Sequence, residues 1–514
     1  MADIASSQTT ATLWSYADRE FGDRPFLVQL EAGGRREFNY AAFARLIHRA
    51  AHAFAGMGIG AGDTVVLQIG NSPEMLTALF GLTGIGAIAV PVSLDATESE
   101  LLRVYRACRA RWAVVEHSRL ADHRAIRDRH GVGDRALLAV HGPADDPVSF
   151  EGRCRAQSDE PPAAPGLTSE SVAELLYTSG TTAAPKGVMI THANLAFSGH
   201  YGVWQTSLRG DDRLFTTMPA CHSNFQLAAL TPVLVAGATL VMADHYSASH
   251  FWQQVQQERA TVVQLIAMMA RTLLLQPPSA TDGRHEVREA LYFMPLSDTE
   301  KVEFERRFRV RLLNSYGSTE SIGWAVTDPP QGERRWPSVG RAGLGYEVGI
   351  FDPQGRELPA GEVGELRIRG VPGRTLMKGY FDDADATAAA LSPDGWLRTN
   401  DEGLMDADGW FYFVDRSVNL IKRAGENISA REVECVLTAH PLIAEAAVIG
   451  VPDPVRDKAV KAFVRLVPGA RIDVAEVQSF CRDRLAAFKV PEFVELIDDF
   501  PRTASLKIEK RLLN

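Results

Sequence analysis

Hydrophobic positions along the chain fall into short apolar runs separated by amphipathic stretches. The run DTVVLQIG (63–70) is followed by PEMLTALFGLTGIG, AIAVPVS, SELLRVYRACRA and RWAVVEH; a second set runs from RLFTTMPA (213–220) through LAALTPVLVAG, ATLVMAD, FWQQVQQERA and TVVQLIA. Short β-branched and aliphatic runs predict buried strands, and i, i+3, i+4 spacing between them predicts helices. Their alternation predicts parallel βαβ units, here two sets within one large body. After about residue 330 the texture changes to glycine-punctuated strands, YEVGIFD, GELRIRG and GWFYFVD, which predict a small β-rich module. From Asp415 onward NLIKRAGENIS, the helical REVECVLTAH, the strands AEAAVIGV and KAVKAFVRLV, and the helical VAEVQSFCRDRL predict a compact α+β lobe. The fold class is therefore α/β: a large N-terminal body, 1–414, of two βαβ-type subdomains plus the β-rich module, and a small C-terminal lobe, 415–514.

A chain of 514 residues exceeds one ordinary core, which agrees with that division. Hydrophobic residues make up 46% and charged residues 23%, so the chain can bury a core and is not a disordered type. The net charge of -10 argues against a nucleic-acid surface, which needs a basic stripe. Cys108, Cys154, Cys221, Cys435 and Cys481 are odd in number and far apart, with no zinc-type spacing, and fit a reducing compartment. MADIASSQTT lacks the basic start and apolar run of a signal peptide, and the apolar stretches are short or broken by proline, so the reading is cytoplasmic with no membrane span.

Candidate chemistry concentrates in LLYTSGTTAAPKGVMITHANL (175–195). An apolar strand enters a loop carrying Thr178, Ser179, Thr181 and Thr182 as hydroxyl donors, Gly180 as a flexible point and Lys186 as a cation. Such a loop can wrap a triphosphate with backbone N–H groups and hydroxyls. It is not a Walker loop, because Pro185 stands where that motif needs glycine and no Ser or Thr follows the lysine.

Taken with NSYGSTES (314–321), GEVGELRIRG (361–370), GWLRTNDEG (395–403), VDRSVNLIKRAGENISAREVE (414–434) and PRTASLKIEK (501–510), this stretch resembles the adenylate-forming superfamily of acyl-CoA synthetases, luciferases and peptide-synthetase adenylation domains. The resemblance covers almost the whole chain. RRWPSVGR, YSASHFWQQVQ, FVDRSVNLIKRAGENIS and FKVPEF are most similar to the crotonobetaine/carnitine-CoA ligase branch. It implies an AMP-forming acid–thiol ligase. A carboxylate attacks the α-phosphate of Mg²⁺-bound ATP to give an acyl-AMP, and the thiol of coenzyme A then displaces AMP to give a thioester. Residues 1–414 would bind AMP and the acyl group. Residues 415–514 would form a mobile catalytic lobe that rotates about a hinge near Asp415.

Residue roles follow from motif position. Tyr316 would stack on adenine, Thr319 would bond the α-phosphate, and Glu320 would help to hold Mg²⁺. Asp401 would grip both ribose hydroxyls, assisted by Arg416. Lys186 would serve the outer phosphates and Lys507 would bring carboxylate and α-phosphate together. Ala424, Gly425 and Glu426 would face the pantetheine arm during thioester formation. Cys221 and His222 would border the acyl pocket, with Cys221 where relatives usually have an aromatic residue.

Several positions depart from the family pattern. Phe293 and Met294 are bulky where relatives have a small loop against adenine, Asn400 and Ala424 each replace a glycine, and Leu506 replaces the glycine before the catalytic lysine. A leucine there would hinder delivery of Lys507, and so slow adenylation but not thioester formation. Alternatives stand open at this level: an enzyme that only transfers a pre-made acyl-adenylate to CoA, fed by a partner adenylating ligase; a luciferase-like oxidase; a carrier protein as acceptor; and a degenerate nucleotide- or acyl-binding protein. The acid itself is not specified, and family habit points to a homodimer.

Overall fold

The computed structural model describes residues 7–513 apart from 33, 132–135, 144, 164–165, 179–185, 294–295, 417–419, 424–425, 454–456, 486 and 503–507; at 415, 416, 420, 422, 426, 427, 457 and 511 it describes the backbone only. Two largely parallel sheets form the body. The first has six strands in the spatial order Ala136–Val140, Trp112–Glu116, Thr64–Gln68, Ile88–Pro91, Val172–Thr178, Lys186–Thr191. All its pairings are parallel except the last, which is a hairpin. The second has nine strands. Its middle runs Leu312–Tyr316, Glu289–Phe293, Val262–Ile266, Arg213–Thr216, Thr239–Ala243 and Pro25–Glu31, all parallel, with short antiparallel strands at both edges.

Parallel strands are covered on both faces and so read as continuous apolar runs. Thr64–Gln68, Thr239–Ala243 and Val262–Ile266 are buried throughout. The two sheets share one core: Val65 and Leu67 of the first and Leu214, Val241 and Val263 of the second belong to a single cluster, with Leu76, Leu79 and Phe80 of the helix Pro73–Gly84. The helix His192–Thr206 crosses Thr231–Ala236 at very short range. A Cβ at Gly199 would stand 2.5 Å from Val235 Cγ2, so glycine is what lets the two helices approach.

The β-rich module is a four-stranded antiparallel sheet, Glu347–Phe351, Gly364–Arg369, Trp396–Met405 and Phe411–Arg416. The C-terminal part has its own sheet and core. Ile443–Asp453 and Asp457–Leu466 form its long antiparallel pair, and Ile428, Val433, Leu437, Val460 and Val477 pack together. No helix among the described residues is long and apolar enough to cross a membrane.

Candidate active site

The motif residues gather beyond the carboxyl ends of strands in both sheets, where open α/β folds bind ligands. Thr178 ends its strand and pairs directly with Lys186, so the hairpin register brings the two ends of the hydroxyl-rich loop together. Ser179, Gly180, Thr181 and Thr182 lie outside the described residues. Lys186 Nζ sits 4.9 Å from the ring centroid of Tyr380, whose hydroxyl donates to Glu320 Oε1 at 3.0 Å. The Glu320 carbonyl accepts the Met377 N–H at 2.9 Å. Burial, with the Glu320 carboxylate beside it, raises the Tyr380 hydroxyl above its usual range, so it stays a donor. Three distant segments thus place one cation and one carboxylate on one tyrosine.

A second group forms around Tyr316, the last residue of its strand. Its hydroxyl donates to Asp401 Oδ2 at 2.6 Å, and its ring lies 5.8 Å from that of Phe413. Asp401 pairs across the antiparallel sheet with Arg416, and Glu402 with Asp415, so strand register sets both neighbours by backbone alone. Asn400, just before Asp401, has φ +56°, a left-handed geometry that asparagine tolerates well. The Arg431 guanidinium sits 4.8 Å from the Phe413 ring centroid, and its Nη1 donates to the Phe413 carbonyl at 3.3 Å.

The turn around Cys221 and His222 is built differently. Thr319 Oγ1 donates to Ser223 Oγ at 3.2 Å, which joins the NSYGSTES loop to the turn after His222. The His222 carbonyl accepts the N–H groups of Phe225 and Gln226, and a π-helical segment, Gln226–Leu230, follows. Single π turns are rare and mark functional sites frequently. Asn71 holds the preceding strand end from behind: its Oδ1 accepts the Ala220 N–H at 2.7 Å, and its Nδ2 donates to the Met218 and Ala243 carbonyls at 2.9 and 3.0 Å. Gln264 Nε2 donates to the Asn224 carbonyl at 3.0 Å. The Cys221 thiol is pushed up to about 12 by burial and stays neutral, which suits a pocket wall and not a nucleophile.

Phe293, bulky where relatives have a small loop, is 3% exposed and stacks on Trp324 with centroids 3.9 Å apart. Met294, Ala424, Gly425, Leu506 and Lys507 lie outside the described residues, and Glu426 is described only as pairing with Arg423. Tyr380, Phe413, Asn71, Gln226 and Gln264 were not singled out by sequence. Phe413 carried a signal, an aromatic residue two positions before the expected hinge; the polar residues carried none.

Glu320 fits a magnesium ligand in chemistry: a hard carboxylate at the loop that faces Lys186, suited to an ion that takes one or two carboxylates plus substrate phosphates.

The chain belongs to the AMP-binding enzyme family: the family model matches residues 14–381, and the model of its C-terminal domain matches residues 432–507. Within it the chain is an acyl-CoA ligase of the adenylate-forming superfamily. It is 44% identical over 515 residues to the crotonobetaine/carnitine–CoA ligase of Salmonella enteritidis, covering 99% of this chain and 100% of that one. The Salmonella typhimurium protein of the same name matches equally. Among solved structures, ATP-bound MatB from Rhodopseudomonas palustris superposes with a TM-score of 0.88 at 26% identity, covering 98% of each chain. The o-succinylbenzoate CoA synthetase MenE of Bacillus subtilis with its acyl-adenylate gives 0.85 at 25%, covering 99% of this chain and 98% of that one.

Proposed function

We propose that the protein joins a betaine-type carboxylic acid, of the crotonobetaine kind, to coenzyme A through an acyl-AMP. The observation that carries this is the pairing of Tyr316 with Asp401 beside Phe413, a ribose acceptor held next to two rings. The substrate class rests on the 44% identity to full-length relatives named for such acids.

In this reading adenine lies against Tyr316 and Phe413. Asp401, with two oxygens and about four lone-pair sites, accepts ribose hydroxyls while keeping its Tyr316 bond. Thr178, the loop Ser179–Thr182 and Lys186 hold the outer phosphates, and Thr319 holds the α-phosphate. Glu320, oriented by Tyr380, would hold Mg²⁺, which when bound neutralises phosphate charge. Lys507 screens the repulsion between carboxylate and α-phosphate as they meet in line. Cys221 and His222 border the acid, with Ser223 linking that turn to Thr319. Residues 415–514 then rotate about Asp415, so that Ala424, Gly425 and Glu426 line the path of the thiol. The five free cysteines, far apart in sequence, fit a reducing cytoplasm.

Leu506 favours a restricted form of this reading, in which adenylation is the slow half-reaction. ATP/pyrophosphate exchange with crotonobetaine, in wild type and Leu506→Gly, is measured beside CoA capture from synthetic crotonobetainyl-AMP. Capture with weak exchange that Leu506→Gly restores is the expected result. Robust wild-type exchange would sink the restriction and leave the ligase. ATP binding with neither half-reaction across a panel of acids would overturn the ligase reading.

A further inference from the structure

One buried acid has no task in the scheme above. Glu174 lies in the strand Val172–Thr178, paired with Ala89 on one side and Ile190 on the other, and is 1% exposed. An ionised carboxylate at such a place is costly. The side-chain amide of Gln226 is the polar neighbour of this carboxyl, and Gln226 is itself wholly buried at the start of the π segment. Its Nε2 also donates to the Ala220 carbonyl at 3.0 Å. Ala220 directly precedes Cys221 and His222.

Two acceptors of the pair, Glu174 Oε2 and Gln226 Oε1, are buried without a hydrogen-bond partner among the described residues. Buried polar atoms are nearly always satisfied. A single proton on Glu174 would let the two groups satisfy each other. An acid O–H can donate to the amide oxygen while the amide N–H donates to the other acid oxygen. Burial pushes the Glu174 carboxyl up to about 8, in the direction this arrangement requires.

We propose that Glu174 is a positioning residue for the acyl-binding turn: as the neutral acid it closes a carboxylic acid–amide pair with Gln226, and the locked amide fixes the Ala220 carbonyl ahead of Cys221 and His222. This rests on the reading that Cys221 and His222 border the acid. The same strand ends at Thr178, so the pair ties the strand that feeds the phosphate loop to the turn that holds the acyl group. Glutamine at 174 can form the equivalent amide–amide pair, whereas methionine, of similar length, cannot.

Full-length wild type, Glu174→Gln and Glu174→Met are compared with crotonobetaine, ATP and CoA. Glu174→Met is expected to raise KM for the acid roughly tenfold with KM for ATP unchanged, and Glu174→Gln to stay within about twofold of wild type. A purely structural role would lower the active fraction and leave both KM values alone. Equal damage in Glu174→Gln and Glu174→Met, or an unchanged acid KM in Glu174→Met, overturns the proposal. The infrared carbonyl band of a protonated carboxyl, present in wild type and lost in Glu174→Gln, reads the pair without substrate; its absence in wild type also overturns the proposal. If Glu174→Met does not fold, the band and the Glu174→Gln kinetics decide alone. A wild type that turns over no acid defeats the ligase reading, while the band still tests the pair.

Discussion

The cluster around Tyr316 and Tyr380 and the turn around His222 are held by opposite means. In the first, side chains from distant segments meet tip to tip: Tyr316 on Asp401, Tyr380 on Glu320, Lys186 over Tyr380. In the second, Asn71, Gln226 and Gln264 grip the backbone of one turn from within the core. In the proposed function the first arrangement offers its own functional groups to a ligand, so each change removes a contact. The second offers none, so each change moves something else.

This contrast can be broken in four ways, taken from the largest expected effect down. The first uses pH. The folded-state value of Glu174 is raised, to about 8, so the folded chain keeps a proton that the unfolded chain releases near the ordinary value of 4.5. Its contribution is complete below 4.5 and is lost as the pH climbs to about 8, a swing of roughly 5 kcal/mol. Denaturant titrations from pH 5 to 8 should show wild type losing stability relative to Glu174→Gln. His141, held up at about 10 by hydrogen bonds to Glu116 and Glu74, adds its own loss from the histidine range upward in both proteins, and so cancels in the difference. Parallel curves would mean that Glu174 is not the buried acid described.

Next comes Asp401→Ala, which removes a charged acceptor. We expect a loss of about 3 kcal/mol, on the order of a hundredfold in kcat/KM for ATP, with KM for the acid unchanged. If both substrates suffer equally, the two sides are not separate. Asn71→Ala should do the reverse: it strands the Ala220 N–H and two carbonyls, and about 2 kcal/mol should appear in KM for the acid. Isothermal binding of ATP to this variant should match wild type. Smallest is Tyr380→Phe, which keeps the ring under Lys186 but frees the Glu320 carboxylate to turn; about 1 kcal/mol, seen as a several-fold weaker magnesium dependence of the initial rate, is expected.

How far the sequence carried differs from element to element. The strands Thr64–Gln68, Thr239–Ala243 and Val262–Ile266 announced themselves as apolar runs, because strands buried on both faces have no polar side to show. The hairpin Pro25–Glu31 and Gly34–Asn39 did not. It lies near the start of the chain yet completes the far side of the second sheet, pairing Leu27 with Leu240, and local pattern does not encode which edge a strand will join. Tyr316, Glu320, Asp401 and Lys186 stood out in motifs whose residue types suit phosphate and ribose chemistry, but their contacts with one another and with Tyr380 were not written there. Glu174 was visible only as a charge inside AELLYT, and its partner lies fifty-two positions on, at Gln226. The bulk of Phe293 was legible, but its stacking on Trp324, distant in sequence, was not.

By itself the sequence determined the inventory: an alternating α/β body, a separate C-terminal lobe, and the groups able to handle a nucleotide and an acid. Hydrophobic periodicity and motif chemistry are local properties, written within a few residues of where they act. Only the tertiary structure decided which of those groups touch. The Tyr316–Asp401 bond joins residues 85 positions apart, and the Asn71–Ala220 bond joins residues 149 apart. Burial that drives the chain together is non-directional, and the pairing of its polar groups is fixed only once the sheets have packed.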